Sequence, residues 1–195
     1  MRLFKYALAA CALWLAVANN AAASADDIKG FVDRLGGQVL AIAKESGKSD
    51  AEKQSALKDL FFRSVDVDWI GRFVLGRAWA SATPEQQQTY LANYRNFIAK
   101  NYTSKLNGYS GETYKIGDIR EGTGGKYVVE LEIVRPGDAN VETQYTVRDD
   151  NGAYRITDIV VEGVSLITTQ RSEFASVVSR KGLDFLIEQL GKKGS

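Results

Sequence analysis

From about Thr113 the apolar residues of this chain stop recurring at helical spacing and begin to alternate, and that change of period limits the folds open to it. Tyr127, Val129, Leu131 and Ile133 alternate with Val128, Glu130, Glu132 and Val134, the pattern of a strand with one face buried. After a turn at Pro136-Gly137-Asp138, Val141, Thr143, Tyr145 and Val147 alternate with Glu142, Gln144, Thr146 and Arg148. Asp150-Asn151-Gly152 is a hairpin turn into Ala153–Glu162, and Thr113–Ile119 adds one strand more. Four strands on short connections predict a curved antiparallel meander.

Helical spacing governs the rest. Ile28, Phe31, Val32, Leu35, Val39 and Ile42 form one stripe over Asp27–Lys44, weakened at Gly36-Gly37. Ser49-x-x-Glu52 is a capping box that starts a second helix, to about Phe62. A third runs from Asp66 to about Trp79. Thr83-Pro84-Glu85-Gln86 starts a fourth, whose broad face carries Tyr90, Leu91, Tyr94, Phe97, Ile98 and Tyr102. After Gly182, Leu183, Leu186, Ile187 and Leu190 return to helical spacing. Helices segregated on one side of an antiparallel sheet make an α+β domain. No repeat, linker or internal boundary divides residues 26–195.

Residues 1–25 have a different character. Arg2 and Lys5 precede the apolar run Tyr6–Ala18, and Ala23-Ser24-Ala25 fits the small-residue cleavage rule, with Asp26 as the expected first mature residue. The run is shorter than the ~20 residues that cross a bilayer. It predicts a cleaved export signal and a soluble mature protein outside the cytoplasm. Leu8-Ala9-Ala10-Cys11 has the outline of a lipoprotein box, but most of the apolar run follows Cys11, so the cysteine reads as signal filler.

Composition narrows the chemistry. Cys11 is the sole cysteine, so packing alone must hold the mature fold. There is no histidine, which excludes serine–histidine and cysteine–histidine nucleophiles, histidine-ligated metals and a histidine base. Of 25 basic residues two leave with the signal, against 24 acidic ones, a balance that argues against nucleic acid as a partner. The expectation is a monomeric binding protein without metal or cofactor.

Asp66–Trp79 is dense in apolar and aromatic residues, interrupted by Gly71 and Gly76. Two readings fit it: a core helix whose glycines allow close packing, or one wall of an apolar cavity. In the second, Trp69, Phe73, Val74 and Trp79 line the cavity with Tyr94, Phe97, Ile98 and Tyr102. The sheet contributes Tyr127, Val129, Leu131, Ile133, Tyr145 and Val147. Gly122-Thr123-Gly124-Gly125 lacks the Lys-Ser/Thr ending of a phosphate loop and reads as a hairpin turn. Gly163-Val164-Ser165 is no nucleophile elbow. Asp118 and Asp158 lie in strands, where a carboxylate in an apolar pocket could move a proton.

Several segments, taken in order, resemble the toluene-tolerance auxiliary family of periplasmic phospholipid-binding proteins. They are Leu75-Gly76-Arg77-Ala78-Trp79, Thr83-Pro84-Glu85-Gln86 with Tyr90–Tyr102, and Val161-Glu162-Gly163-Val164-Ser165-Leu166. Arg171-Ser172-Glu173-Phe174 and Gly182-Leu183-Asp184-Phe185-Leu186 follow. The resemblance implies a curved sheet cupped by helices with acyl chains between the layers. It also implies a shuttle that exchanges phospholipid between an outer-membrane lipoprotein–porin complex and an inner-membrane ABC transporter with an MCE-domain subunit. A sister branch accompanies hopanoid synthesis and stays open. Two other classes compete: an isomerase or dehydratase with Asp158 or Asp118 as base and a tyrosine as acid, and a non-catalytic interaction module.

Overall fold

The computed structural model describes residues 24–103, 111–150 and 152–194. The expected export segment, apart from Ser24 and Ala25, lies outside them, as does Asn151 of the expected hairpin turn.

The first helix, α1, spans Ala25–Lys44 and starts earlier than the stripe implied. Ser24 Oγ accepts from the Asp27 amide at 3.1 Å, and the Asp27 carboxylate accepts from the Ser24 amide at 3.0 Å. That reciprocal pair satisfies two amides that a helix start leaves without partners. The Ser49–Glu52 box does the same for α2 (Asp50–Ser64). The stretch expected as one helix from Asp66 is two, α3 (Val67–Leu75) and α4 (Arg77–Ser81). Gly76 separates them at φ +60° and ψ −127°, a conformation closed to L-residues in practice. Thr83 and Gln86 cap α5 (Pro84–Thr103) through bonds of 3.0 and 3.2 Å.

The sheet contains β1 (Thr113–Glu121), β2 (Lys126–Val134), β3 (Val141–Asp150), β4 (Ala153–Val161) and β5 (Val164–Ser165), antiparallel and in chain order. Five strands replace the expected four. Two residues after a tight turn at Glu162-Gly163 cannot display a period, so β5 left no alternation to read. Two register shifts bend the sheet, between Ile116 and Ile119 of β1 and where Thr146–Val147 face Asp158 and Ile156. In the second, Thr157 is the extra residue and both Ile156 and Thr157 are buried, as a bulge permits. The chain ends in α6 (Leu166–Lys181) and α7 (Leu183–Gly194), separated at Gly182 with φ +85°.

The helices cover one face of this α+β fold in two groups. α1 and α2 lie over the sheet. There Gly36 lets α1 approach Tyr114 so closely that a Cβ would sit 2.4 Å from the ring. The other group packs tightly: Val74, Tyr90 and Tyr94 are fully buried, with Tyr90 stacked on Tyr94 and Phe174 edge-on to both. Asn93 of α5 donates to the Ile187 carbonyl of α7 at 2.9 Å, and Gln86 donates to Asp184 at 2.7 Å.

Gly71 is the tightest crossing in this group. A Cβ there would meet Leu91 at 2.9 Å and Tyr94 at 3.0 Å, and the Tyr90 hydroxyl donates to the Gly71 carbonyl at 2.9 Å. Leu91 is half-buried and can turn aside, but the Tyr94 ring is held between Tyr90 and Phe174 and has little room to retreat. Gly71→Ala should therefore cost about 1–3 kcal/mol. Urea unfolding should report a lower midpoint at unchanged slope; an unchanged midpoint would mean α3 and α5 are less tightly packed than described.

Candidate functional site

A cavity of about 380 Å³ lies between α1–α2 and the sheet. From α1 come Val32, Leu35, Gly36, Val39, Leu40 and Ala43, and from α2 Leu57, Leu60, Phe61 and Ser64, followed by Val65. The sheet side is Glu112, Thr113, Tyr114, Leu131, Ile133, Tyr145, Ile156 and Ile159. The reason for the void is local. α1 turns an apolar stripe toward the sheet, but Gly36 and Ala43 on that stripe are too small to fill the space behind it. Thr113 is exposed, and Leu40, Ala43 and Glu112 are half-exposed, which puts the opening at the end of α1 and the start of β1. Ile156 and Ile159 of β4 line the side next to a smaller cavity.

The lining is nearly all hydrocarbon. Tyr114 turns its ring to the cavity, and its hydroxyl donates outward to the Asp33 carbonyl at 2.9 Å, with the Asp33 carboxylate 3.0 Å away. Burial, helped by Asp33, pushes the Tyr114 pKa up. Burial alone raises that of Tyr145. Both phenols stay neutral at physiological pH, and Glu112 at the opening is the one carboxylate among the lining residues. A smaller cavity of about 30 Å³ adjoins the first beyond Phe61, Val65, Ile156 and Ile159, which line both.

The two candidate bases do not meet this space as free carboxylates. Asp158 borders the small cavity and accepts from Ser165 Oγ at 2.7 Å and the Ile167 amide at 3.4 Å, fastening the start of α6. Asp118 sits exposed in the β1 bulge. The glycine-rich loop is the β1–β2 turn, where the Gly122 amide donates to the Lys126 carbonyl at 2.7 Å. Among the described residues no group of three acidic, histidine or cysteine side chains is arranged to hold a metal ion.

The structure gathers only part of the expected lining. Leu131, Ile133 and Tyr145 face the large cavity. Tyr94 and Ile98 face the small one. Tyr127, Val129 and Val147 share the inner face of the sheet but are packed in the core, as is Val74. Trp69 and Phe73 stack on each other at 5.2 Å, with Lys126 over the first ring and Arg171 over the second. Trp79 packs edge-on against Tyr90, and Phe97 lies at the core's margin. Tyr102 falls in the last turn of α5, with its side chain outside the described residues. The α3–α5 pair is thus packed core with close-fitting glycines. Sequence reasoning missed Leu40, Ala43, Leu57, Leu60 and Phe61; the signal available was the small residues on the stripe of α1.

The family described as MlaC protein matches residues 33–192, most of the chain. The chain belongs to the MlaC family. Within it, the toluene tolerance protein ttg2D of Pseudomonas putida is 25% identical over 161 residues, 82% of this chain and 74% of that protein. The intermembrane phospholipid transport system binding protein MlaC of Haemophilus influenzae is 23% identical over 135 residues, 67% of this chain and 63% of that protein. A solved phospholipid-binding protein from Ralstonia solanacearum, in complex with a phospholipid, superposes with a TM-score of 0.72 at 22% identity. The match covers 87% of this chain and 95% of that one, and at this identity it shows that the two share a fold.

Placing a charge separates wall from core. Leu40→Asp puts its carboxylate at the half-exposed opening, where water reaches it, so the fold should survive. Val74→Asp has no such escape: an unpaired charge at a fully buried position should unfold the protein. Circular dichroism melts of the two variants check this, and equal behaviour would erase the distinction between the cavity and the α3–α5 core.

Proposed function

We propose that this chain is a periplasmic phospholipid carrier that holds acyl chain between the sheet and α1–α2 and moves lipid between the outer and inner membranes. The observation that carries the reading is the 380 Å³ hydrocarbon-lined cavity, with its one lining carboxylate at the opening. Membership of the MlaC family, and the phospholipid-binding and phospholipid-transport proteins similar to this chain, support the same conclusion. At ~30 Å³ per methylene, taken as the volume of a water molecule, the space accommodates roughly a dozen carbons. Each buried methylene contributes about 0.8 kcal/mol, so one chain supplies on the order of 10 kcal/mol, enough to hold lipid away from water. The headgroup stays at the opening near Glu112 and Thr113. No nucleotide motif supplies energy for release, so partners must shift the equilibrium: the MCE-domain ABC transporter at the inner membrane and the lipoprotein–porin complex at the outer one. The carrier acts as a monomer, without catalytic residues or a cofactor.

Native mass spectrometry of the purified protein tests the cargo. Co-purified phospholipid is expected; a hopanoid in its place would move the protein to the sister branch, and a protein unable to take up lipid would defeat the reading. Photo-crosslinkers test the location. Leu131, Ile133 and Tyr145 should capture lipid, whereas Trp69 and Glu130 should not, and equal labelling at all five would put the site elsewhere.

Export is part of the proposal, and the start of α1 refines it. Cleavage after Ala25 would remove Ser24 and its cap, worth about 1 kcal/mol. Cleavage after Ala23 keeps the cap and sets the new ammonium of Ser24 beside the Asp27 carboxylate. The sequence allows an exported protein that begins at Asp26, or at Ser24 if the signal is cut after Ala23; the cap favours Ser24, and an intact mass beginning at Asp26 would count against this refinement.

A further inference from the structure

The geometry points to Phe61 as the residue that sets how long an acyl chain the cavity accepts. This inference rests on the lipid-carrier reading and adds a specificity-determining residue to it. The large cavity opens beside Ala43 and Thr113, and beside β4 a partition separates it from the 30 Å³ cavity. Four side chains line both spaces and so form that partition: Phe61, Val65, Ile156 and Ile159. Val65 and Ile156 are buried and joined by a β-bridge, and the Asp66 amide donates to the Ile156 carbonyl at 2.9 Å, so backbone fixes that pair. Phe61 is the largest of the four and comes from a helix face, with its ring set edge-on to Phe62 at 5.8 Å.

The space beyond the partition is one a chain terminus could enter. Val67, Ile70, Ile98, Leu166 and Ile167 line it with hydrocarbon. Its polar neighbours are already engaged, Asp158 with Ser165 at 2.7 Å and Gln170 with the Tyr94 hydroxyl at 2.6 Å. Phe61 thus stands between two apolar spaces. Its ring fills the room of roughly three methylenes at ~30 Å³ each. Shrinking the side chain lengthens the large cavity toward the small one, and enlarging it has the opposite effect.

The test uses the exported protein and an equimolar set of saturated lysophosphatidylethanolamines with single chains of ten to eighteen carbons, below their micellar concentrations. Native mass spectrometry reads which chain length dominates the bound population. Phe61→Ala should move the optimum longer by roughly three carbons, the ring's worth of methylenes. Phe61→Leu should move it by a smaller step in the same direction, and Phe61→Trp should move it shorter. Glu130→Gln, outside both cavities, should leave the optimum in place. Circular dichroism identifies folded variants, and the Leu and Trp variants carry the test if the Ala variant unfolds. An optimum that ignores Phe61 in the folded variants, or that shifts equally in Glu130→Gln, overturns the assignment and leaves the carrier reading standing. Wild-type protein that takes up none of the series overturns the carrier reading, and this inference with it.

Discussion

Asp66 joins the helical layer to the sheet, and most of the architecture depends on that junction. Its carboxylate accepts from the Trp69 amide at 3.1 Å, which starts α3. The same carboxylate pairs with Arg148 of β3 at 2.6 Å, both side chains largely shielded from water. Its amide donates to Ile156 of β4 at 2.9 Å, and its neighbour Val65 forms the bridge to the same strand. Removing the carboxylate would leave the largely shielded Arg148 with only the exposed Asp150 carboxylate, 3.9 Å away, which is costlier than the pair is favourable. One residue therefore sets where the helices stop resting loosely on the sheet and begin to pack.

On the two sides of that junction the same kinds of side chain do different things. After it, glycines at positions 71 and 76 bring backbones together, and tyrosine, phenylalanine and valine fill what remains. Arg171 reinforces the break at Gly76, donating to the Phe73 carbonyl at 3.2 Å while lying over the Phe73 ring. Before it, Gly36 also brings α1 close to the sheet, but at Tyr114, whose ring props the layers rather than filling them. The interior is continuous in chemistry and discontinuous in density. Hydrocarbon without a neighbour is the property that a carrier of acyl chains needs.

The α+β class, the helix starts at Ser49 and Thr83, and the inward faces of β2 and β3 were legible because each rests on local chemistry. A capping box or an alternating strand announces itself within a few residues. Tyr127, Val129, Leu131 and Ile133 do lie on one face, as their spacing required. What could not be read was which inward residues meet an empty space. Leu131 and Val129 are alike in sequence, yet one faces the cavity and the other a packed core, because that difference is decided by helices about a hundred residues earlier. Aromatic density misled for the same reason: Trp69, Phe73 and Trp79 suggested a pocket wall, but large rings fill space well, and voids occur beside small residues. The break at Gly76 was hidden because the apolar pattern runs through it, and β5 was too short to have a pattern.

Every strand of the sheet pairs with its neighbour in the chain, so each pairing closes a short loop and loses little chain entropy. The helical body is different. Gln86 reaches Asp184 and Asn93 reaches Ile187 across separations of 98 and 94 residues. The layers that bound the cavity meet across comparable distances: Tyr114 reaches Asp33 across 81 residues and Arg148 reaches Asp66 across 82. Both sets of contacts carry a larger loop-closure cost than the hairpins do. Closure of the body belongs to the last twelve-residue helix. A chain cut short before Leu183 would keep every strand and every helix that lines the cavity, and would lose the cover over the far side of α5.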